Sequence, residues 1–339
     1  MTDRIDGAVL AGHSLTKQFV TKRSVLGHPL RRLRAVNNVS LHVHAGETLG
    51  LLGESGSGKS TAARLLTRLI EPDSGSIRIE GADFLALRGR ALRHQRRSIQ
   101  MVFQDPYSSL DPTKMVVHAV GEPLTIHAGL RGKERDQRVA TLLEQVGLSA
   151  RHVHRYPYEF SGGQRQRIAI ARALAPDPSI LIADEAVSSL DVSTQAQVLN
   201  LLIELREARG LAMLFISHDL GVVRQVADRV AVMYLGEIVE TGTCDDIYHA
   251  PQHPYTRALL AAVPEIDPAR RRPRVLTTGE VNSVVDSGCT FRARCPEAID
   301  ICAVSAPEPR AVGSTIVACH LHRQAPTTNA QTSQTSQVS

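Results

Sequence analysis

A glycine-rich stretch between a buried strand and a helix constrains this chain more than any other feature. It reads Gly53-Glu54-Ser55-Gly56-Ser57-Gly58-Lys59-Ser60-Thr61 and fits the pattern G-x-x-x-x-G-K-[ST]. Residues 47–52 predict a short buried strand, and residues 59–70 carry leucine and isoleucine at helical spacing. The alternative is a glycine-rich turn that matches the pattern by chance, but such a turn would not be expected to lie between a strand and a helix. Strand, loop and helix together predict a phosphate cradle, because backbone N–H groups and the helix N-terminus attract anions.

The side chains at the end of this loop have distinct predicted roles. Lys59 is expected to reach the β- and γ-phosphates of a nucleotide, and the Ser60 hydroxyl is expected to bind Mg²⁺. Thr61 is expected to help hold the α-phosphate region. The predicted nucleotide-binding residues of the loop are Gly53, Ser55, Gly56, Gly58, Lys59, Ser60 and Thr61.

Alternating strand and helix patterns after the loop predict the fold class. Predicted strands lie at 76–81, 99–103, 179–185, 212–216, 230–234 and 237–241. Predicted helices lie at 115–128, 133–146, 161–175, 193–209 and 255–262. This alternation predicts an α/β protein with a doubly wound, mostly parallel sheet.

Two further stretches carry basic residues. Strands are predicted at 7–18 and 35–44, joined by a basic loop that holds Lys22, Arg23, Arg31, Arg32 and Arg34. The arginine run in 88–97 is expected to be a solvated or interface face of a helix.

Two adjacent carboxylates end the most apolar of these strands. Asp184 and Glu185 follow Ile180-Leu181-Ile182-Ala183, which predicts a fully buried parallel strand with chemistry at its C-terminal end. The alternative is that the pair merely starts a helix. Nucleotide hydrolysis needs a metal-side carboxylate and a group that positions or deprotonates water. We therefore assign Asp184 to the metal and Glu185, which points differently, to the general base.

Composition limits the possible partners and locations. The chain has 339 residues, a net charge of +5, 42% hydrophobic residues and no Trp. Scarce aromatics, at 4%, argue against a stacking platform for nucleic acid, so no nucleic-acid partner is predicted. The mild basic excess suits nucleic acid, an anionic membrane surface or an ordinary solvated face, of which the solvated face is the most common. No apolar run approaches the ~18 residues of a membrane span and no signal peptide is evident, so we expect a cytosolic or peripherally attached protein.

Further motifs resemble those of ABC-type ATPases in both order and spacing. Ser161-Gly162-Gly163-Gln164 resembles their signature motif, and Phe103-Gln104 resembles their Q-loop. Ser188-Ser189-Leu190-Asp191 resembles the D-loop, and His218 resembles the switch histidine. The resemblance implies a P-loop NTPase of ABC type, with an antiparallel β subdomain and a helical subdomain at about 105–175.

The ABC resemblance implies roles for residues outside the loop. Phe19 corresponds to an aromatic that stacks on adenine, although by itself it reads as a strand-end aromatic. Gln104 is implied to sense Mg²⁺ and water, which makes Ser60, Gln104 and Asp184 the metal set. His218 is implied to hold the γ-phosphate and Glu185. Ser161 and Gly163 are implied to contact the γ-phosphate of ATP held by an opposite subunit, and Gln164 and Asp191 are further predicted ATP-binding residues.

Over about residues 8–322 the chain is similar to the ATP-binding subunits of dipeptide/oligopeptide importers. The segments that carry this resemblance are 104–112, 155–157, 163–173 and 253–256. The long basic loop resembles the second of the two paired subunits. Three departures from the family pattern are Ala186 for Pro, Ser189 for Ala and Asp111 for Asn, and none removes a catalytic group. Ala186 follows the predicted base, so this departure is expected to affect the rate of ATP hydrolysis more than its mechanism.

The importer resemblance implies the partners. They are a sister ATP-binding subunit, two transmembrane permease subunits and, indirectly, an extracytoplasmic solute-binding protein. The chain would then lie at the cytoplasmic face of the cell membrane and hydrolyse ATP, with Mg²⁺, to drive peptide import. Nickel, glutathione or antimicrobial peptides remain alternative cargoes. A non-transport ABC ATPase is the other alternative, and it predicts a coiled-coil insertion or second cassette that this sequence lacks.

Four of the five cysteines cluster near the C-terminus, as Cys289, Cys295, Cys302 and Cys319. Their spacing, C-x5-C-x6-C-x16-C, has neither the C-x-x-C pairs of zinc fingers nor a standard ferredoxin pattern. Clustered thiols without a secretory signal favour metal over disulfides. The importer resemblance implies a structural [4Fe–4S] cluster with all four as ligands. Zinc, and free thiols or a disulfide, remain alternatives, and Cys244 is predicted to be a lone thiol.

These observations predict three regions. Residues 1–265 form the nucleotide-binding domain, and residues 266–323 form a small Cys-rich module after a charged, proline-bearing linker. Residues 324–339, rich in Thr, Gln, Ser and Asn, are predicted to be a disordered tail.

Overall fold

The computed structural model describes residues 7–23, 29–105, 109–262 and 287–322. The predicted tail at 324–339 and the predicted linker at 267–274 lie outside this described part. The strands are β1 (Ala8–Arg23), β2 (Pro29–His44), β3 (Thr48–Leu52), β4 (Ser74–Ile79), β5 (Ala82–Asp83), β6 (Ile99–Val102), β7 (Ile180–Asp184), β8 (Ala212–Ser217), β9 (Arg229–Tyr234), β10 (Glu237–Thr243), β11 (Arg310–Val312) and β12 (Thr315–Val317).

Ten α-helices occur within the described residues. They are α1 (Lys59–Leu66), α2 (Gly89–Ser98), α3 (Val116–Ala128), α4 (Gly132–Gln145), α5 (Gly162–Leu174), α6 (Val192–Arg209), α7 (Leu220–Val226), α8 (Cys244–His249), α9 (Pro254–Ala262) and α10 (Ile301–Val304). Three of them, α3, α4 and α5, fall in the predicted helical subdomain, whose exact bounds remain a prediction. No helix in the described ranges is long and apolar enough to cross a membrane.

The main sheet is the α/β sheet predicted from the alternating pattern. Its strand order is β11-β12-β10-β9-β3-β8-β7-β6, and the strands from β9 to β6 are parallel. Strands β3, β7 and β8 are fully buried, as their apolar runs indicate. In the register, Leu52 lies opposite Ser217 and Asp184 opposite Ile216. The carboxyl ends of β3, β7 and β8 therefore meet at one edge, where doubly wound sheets place their ligands.

A second, antiparallel sheet has the order β2-β1-β4-β5 and packs with α1 over the main sheet. Here the prediction of a long basic loop is wrong. Strands β1 and β2 form one extended hairpin in which Lys22 pairs with Arg31 and Arg23 with Pro29. Backbone pairing started by the apolar part of the hairpin continues through these residues, although their basic, Gly- and Pro-containing sequence lacks the alternation that marks a strand.

The described C-terminal residues join the main sheet. The hairpin of β11 and β12 extends it through β10, with Val317 opposite Glu240. Phe291 is 1% exposed and packs in an aromatic cluster with Tyr234 and Tyr255. The predicted boundary between residues 265 and 266 remains a prediction, and the structure adds that residues 287–322 share a core with the domain before it.

His253 gives this junction a predicted pH dependence. The ring is 1% exposed, and its Nδ1 accepts the N–H of Tyr255 at 3.0 Å. Burial, with the charge of Arg257, lowers the pKa of His253 to about 3. The unfolded chain therefore binds a proton at His253 at higher pH than the folded chain, and stability is lost as pH falls from about 6.5 towards 3.

We expect this histidine to account for about 2 kcal/mol of the stability lost between pH 7 and pH 5. Urea unfolding of the full chain at both pH values measures the loss. His253→Gln should reduce the difference by about that amount, whereas the exposed His249→Gln should leave it unchanged. An equal pH dependence in His253→Gln and the unaltered chain would contradict this assignment.

Candidate nucleotide-binding and hydrolysis site

The glycine-rich loop runs from β3 to α1 and is wedged between two strands. A Cβ on Gly53 would lie 2.2 Å from the carbonyl oxygen of Met233, which is on β9. Gly58 has a φ of +105°, and a Cβ there would lie 2.2 Å from the carbonyl oxygen of Ala35 on β2. Backbone atoms cannot yield as a flexible side chain can, so both positions require glycine. The loop is therefore a preformed cradle at the carboxyl edge of the sheet.

Lys59 crosses this loop from the first turn of α1. It is 4% exposed, and its Nζ donates to the carbonyl oxygens of Gly53 at 2.7 Å and Glu54 at 2.8 Å. Burial lowers the pKa of Lys59, while the carboxylates of Glu185, Asp184 and Glu54 oppose that shift. A buried cation so close to the loop backbone is suited to bind phosphate oxygens.

Ser60 and Asp184 form a pair at the base of the loop. The Ser60 hydroxyl donates to Oδ1 of Asp184 at 3.0 Å, and Asp184 is 3% exposed. Burial raises the pKa of Asp184, although the bond from Ser60 opposes the shift. A hydroxyl and a carboxylate are hard oxygen donors, as Mg²⁺ requires. The donor chemistry of this pair fits the predicted metal set, and Gln104 lines the same cleft.

Glu185 is the centre of a second group. Its Oε2 accepts the Nε2 amide of Gln104 at 2.8 Å, and its Oε1 lies 3.4 Å from Nδ1 of His218. Glu185 has a φ of +47°, and its N–H donates to the carbonyl oxygen of Ile216 on β8. Positive φ is uncommon for this residue type and turns the carboxylate away from the line of β7. The structure thus brings together the predicted base, Q-loop glutamine and switch histidine.

Phe19 lies on β1, opposite Leu33 of β2, with 39% of its surface exposed. The Nζ of Lys17 is 5.9 Å from its ring centroid. Two residues beyond Leu33, β2 touches the glycine-rich loop at Ala35. An exposed ring on the strand pair beside the loop is consistent with stacking on adenine, which stays a prediction.

Comparisons with known proteins bear on the identity of this site. Residues 36–188 match the family model described as ABC transporter, and residues 239–302 match the model described as oligopeptide/dipeptide transporter, C-terminal region. The chain is 51% identical, over 94% of its own length and 91% of the relative's, to a probable peptide ABC transporter ATP-binding protein, y4tS, from Sinorhizobium fredii. It belongs to the ABC transporter ATP-binding proteins, in the oligopeptide/dipeptide group. It is accordingly an ATPase, which uses ATP and Mg²⁺.

Two further similarities concern the cassette. The chain is 51% identical over 82% of its length to the glutathione import ATP-binding protein GsiA from Pectobacterium atrosepticum, of which it spans 45%. Its fold resembles the dimeric cassette MJ0796 bound to ADP and Pi, with a TM-score of 0.61 and 31% identity. That match covers 69% of this chain and 98% of the solved one.

In this ABC protein the signature residues, 161–164, form the N-terminus of α5. Ser161 caps α5: its Oγ accepts the N–H of Gln164, and Oε1 of Gln164 accepts the N–H of Ser161. A Cβ on Gly163 would lie 2.1 Å from Cγ2 of Thr194 on α6, so any larger residue here would force the Thr194 side chain to move. Asp191 caps α6 by accepting the N–H of Thr194 at 3.0 Å.

The N-terminus of α5, which carries the signature residues, makes no described contact of the following kinds with the glycine-rich loop of the same chain. Among the described residues, no hydrogen bond or ion pair joins Ser161, Gly163 or Gln164 to residues 53–61. The structure therefore does not bring these predicted ATP-binding residues into the site that it forms around Glu185.

The cysteines of the ABC protein do not form the predicted ligand cage. Over residues 7–23, 29–105, 109–262 and 287–322, no three His, Cys, Asp or Glu side chains are arranged to hold a metal ion. All five cysteines are free thiols. Burial, and secondarily the neighbouring cysteines, raise the pKa of Cys289 to about 11 and raise the pKa of Cys319. The thiols near the C-terminus are thus close enough to interact, but the structure does not support a metal centre.

Sequence reasoning missed two residues that hold the loop from the C-terminal side. The Tyr255 hydroxyl accepts the N–H of Glu54 at 3.0 Å, and Arg294 forms an ion pair with the Glu54 carboxylate at 2.8 Å. Tyr255 falls in a segment that resembles the importer family, yet nothing in the sequence connects it to residue 54. No sequence pattern distinguishes Arg294 from the other arginines.

Proposed function

We propose that this chain is the ATP-hydrolysing subunit of a transporter that imports di- or oligopeptides. The observation that carries the proposal is the Gln104–Glu185–His218 group beside the Ser60–Asp184 pair at one edge of the parallel sheet. This arrangement occurs in a chain that also carries the oligopeptide/dipeptide C-terminal region.

The proposed mechanism assigns each group a task. The backbone of the loop and Lys59 bind the phosphates, while Ser60, Asp184 and Gln104 are placed to hold Mg²⁺. When bound, the metal neutralises charge on the phosphate oxygens. Glu185 takes the proton of the attacking water, and His218 orients Glu185 and the γ-phosphate.

We propose that a second ATP-binding subunit completes the site. Ser161, Gly163 and Gln164 open α5, where a helix N-terminus suits a γ-phosphate held by the partner. Their lack of described bonds to the chain's own loop supports action in trans. Asp191 caps α6, the helix whose Thr194 lies against Gly163. A sister subunit of similar sequence is the proposed partner.

The permease contact is proposed at the cleft between the main sheet and α3. This cleft of about 730 Å³ is lined by both catalytic and basic residues, including Gln104, Asp184, Arg64, Arg96 and Arg172. ABC importer ATPases work with membrane permeases. A permease segment on the α3 side of this cleft would leave the Ser60–Asp184 pair free for Mg²⁺ and would reach Glu185 through the amide of Gln104. We propose two permease subunits, a peripheral location on the cytoplasmic face of the membrane and a separate solute-binding protein.

Uptake by the full transporter tests the proposed cargo. The chain, its sister subunit, the permeases and the solute-binding protein are reconstituted in vesicles with internal ATP and external labelled dipeptide. We expect uptake that unlabelled di- and oligopeptides inhibit and that glutathione and Ni²⁺ do not. Inhibition by glutathione or Ni²⁺ alone would contradict the peptide assignment in favour of these cargoes; the first matches the 51% identity to GsiA.

We also propose that Cys289, Cys295, Cys302 and Cys319 hold a structural [4Fe–4S] cluster in the cell, with zinc as the alternative. The importer resemblance and the mutual influence of the thiols on their pKa values support this proposal. The described side chains are not arranged as ligands, so no step of hydrolysis is assigned to the cluster. Iron and sulfide analysis of anaerobically purified full chain tests it. Iron-free protein with stoichiometric zinc would overturn it.

A further inference from the structure

Arg294, in the C-terminal region, forms an ion pair with Glu54 of the phosphate-binding loop. Nη1 and Nη2 of Arg294 lie 2.8 Å and 2.9 Å from the two carboxylate oxygens of Glu54. The side chains of Arg294 and Glu54 are 12% and 33% exposed, so the pair is partly shielded from water. Two parallel N–H···O bonds are the strongest geometry available to an arginine and a carboxylate.

Arg294 is held in place by the core beneath it. Its N–H donates to the carbonyl oxygen of Phe291 at 3.0 Å, and Phe291 is buried against Tyr234 and Tyr255. The guanidinium carbon of Arg294 lies 5.8 Å from the ring centroid of Tyr234. The packed aromatic residues therefore fix the position of the Arg294 guanidinium beside the loop.

Glu54 is an unusual neighbour for a triphosphate. It is the second residue of the glycine-rich loop, and its carbonyl oxygen already accepts Nζ of Lys59 at 2.8 Å. Its carboxylate also acts on Lys59, because it is among the charges that raise the pKa of that ammonium. An unpaired negative charge here would repel phosphate and compete for Lys59.

We propose that Arg294 is a positioning residue that neutralises Glu54, so that the C-terminal region sets the nucleotide affinity of the loop in cis. Arg294 acts through Glu54 and does not itself need to touch the nucleotide. The inference rests on the proposed nucleotide role of the loop. It assigns residues 287–322 a task in the ATPase cycle.

A mutant cycle on the full chain tests the proposal, with MgADP as the probe in isothermal titration calorimetry. We expect Arg294→Gln to weaken MgADP binding about five- to tenfold, because the Glu54 charge is then exposed to the phosphates. Glu54→Gln should bind as tightly as the unaltered chain or tighter. The double variant should return to within about twofold of the unaltered chain. In ATPase assays, Arg294→Gln should raise KM and leave kcat nearly unchanged.

Arg257→Gln is the matched control. Arg257 pairs with Glu297 at 2.9 Å, so it also ties the C-terminal region to the domain, but it does not contact Glu54. We expect this variant to bind MgADP within about twofold of the unaltered chain.

Two results would overturn the inference. The first is unchanged MgADP binding in Arg294→Gln. The second is a Glu54→Gln variant that binds as weakly as Arg294→Gln, with no recovery in the double variant. The second result would make the pair a structural anchor, because neutralising Glu54 would then not help. Lys59→Ala separates this failure from failure of the proposed site. If Lys59→Ala loses MgADP binding, the nucleotide role of the loop stands, whatever the result for Arg294→Gln.

Discussion

Replacing Glu185 with Gln is expected to slow ATP hydrolysis by about a hundred- to a thousandfold. The amide keeps the size of the carboxylate but cannot accept a proton from water. Its oxygen can still accept the Gln104 amide, which bonds Oε2 of Glu185 at 2.8 Å, so the group should stay assembled. Phosphate release by the subunit with its sister measures the rate. ATP should remain bound, and size-exclusion chromatography should show an accumulated, ATP-loaded dimer.

Glu71→Gln is the matched control for Glu185→Gln. Glu71 is an exposed carboxylate that pairs with Arg68 at 2.8 Å and lies outside the site, so the same chemical change should leave hydrolysis unaltered. Near-normal hydrolysis in Glu185→Gln would refute the assignment of Glu185 as the general base.

Replacing Lys59 with Ala is expected to weaken nucleotide binding by about a hundredfold. The change removes the buried cation that crosses the loop, and each charge-assisted hydrogen bond to phosphate is worth about 1.5–3 kcal/mol. It also leaves the carbonyl oxygens of Gly53 and Glu54 without the ammonium that they share. The rise in Tm on adding MgADP should therefore disappear over concentrations that saturate the unaltered chain.

Lys133→Ala is a matched control, because Lys133 is an exposed lysine on α4, outside the glycine-rich loop and remote in sequence from Phe19. It should retain the nucleotide-dependent rise in Tm. A rise in Lys59→Ala equal to that of the unaltered chain would contradict the assigned role of the loop.

Local patterns predicted the strands and the loop that meet at the carboxyl edge of the sheet, because each of these elements is encoded by a short segment. The glycines before Lys59 need a tight backbone turn, and the apolar run before Asp184 needs burial on both faces. Neighbouring parallel strands end at the same edge of the sheet, so their carboxyl ends meet there. For this reason the sequence already predicted that Ser60 and Asp184, 124 positions apart, serve one metal. The role of Gln104 came from the resemblance to ABC-type ATPases, and its bond to Glu185, 81 positions away, was not predicted.

Contacts made by tertiary packing alone were not predictable. Glu54 and Arg294 are 240 positions apart, and neither occupies a pattern that requires the other. The length of the β1–β2 hairpin was missed for a related reason. Its outer residues are basic and lack a strand pattern, and their backbone pairing continues that of the more apolar residues in the same two strands. In the cysteine region, spacing along the chain indicated proximity but could not determine whether the thiols converge as ligands.

The most direct test measures hydrolysis and transport in the same vesicles. Phosphate release and labelled dipeptide uptake are followed together in the reconstituted transporter, with Glu185 intact or changed to Gln in this subunit. We predict that both rates fall together in the variant, because hydrolysis at this edge of the sheet drives import. Dipeptide uptake that continues at the unaltered rate while hydrolysis at this site is lost would contradict that claim.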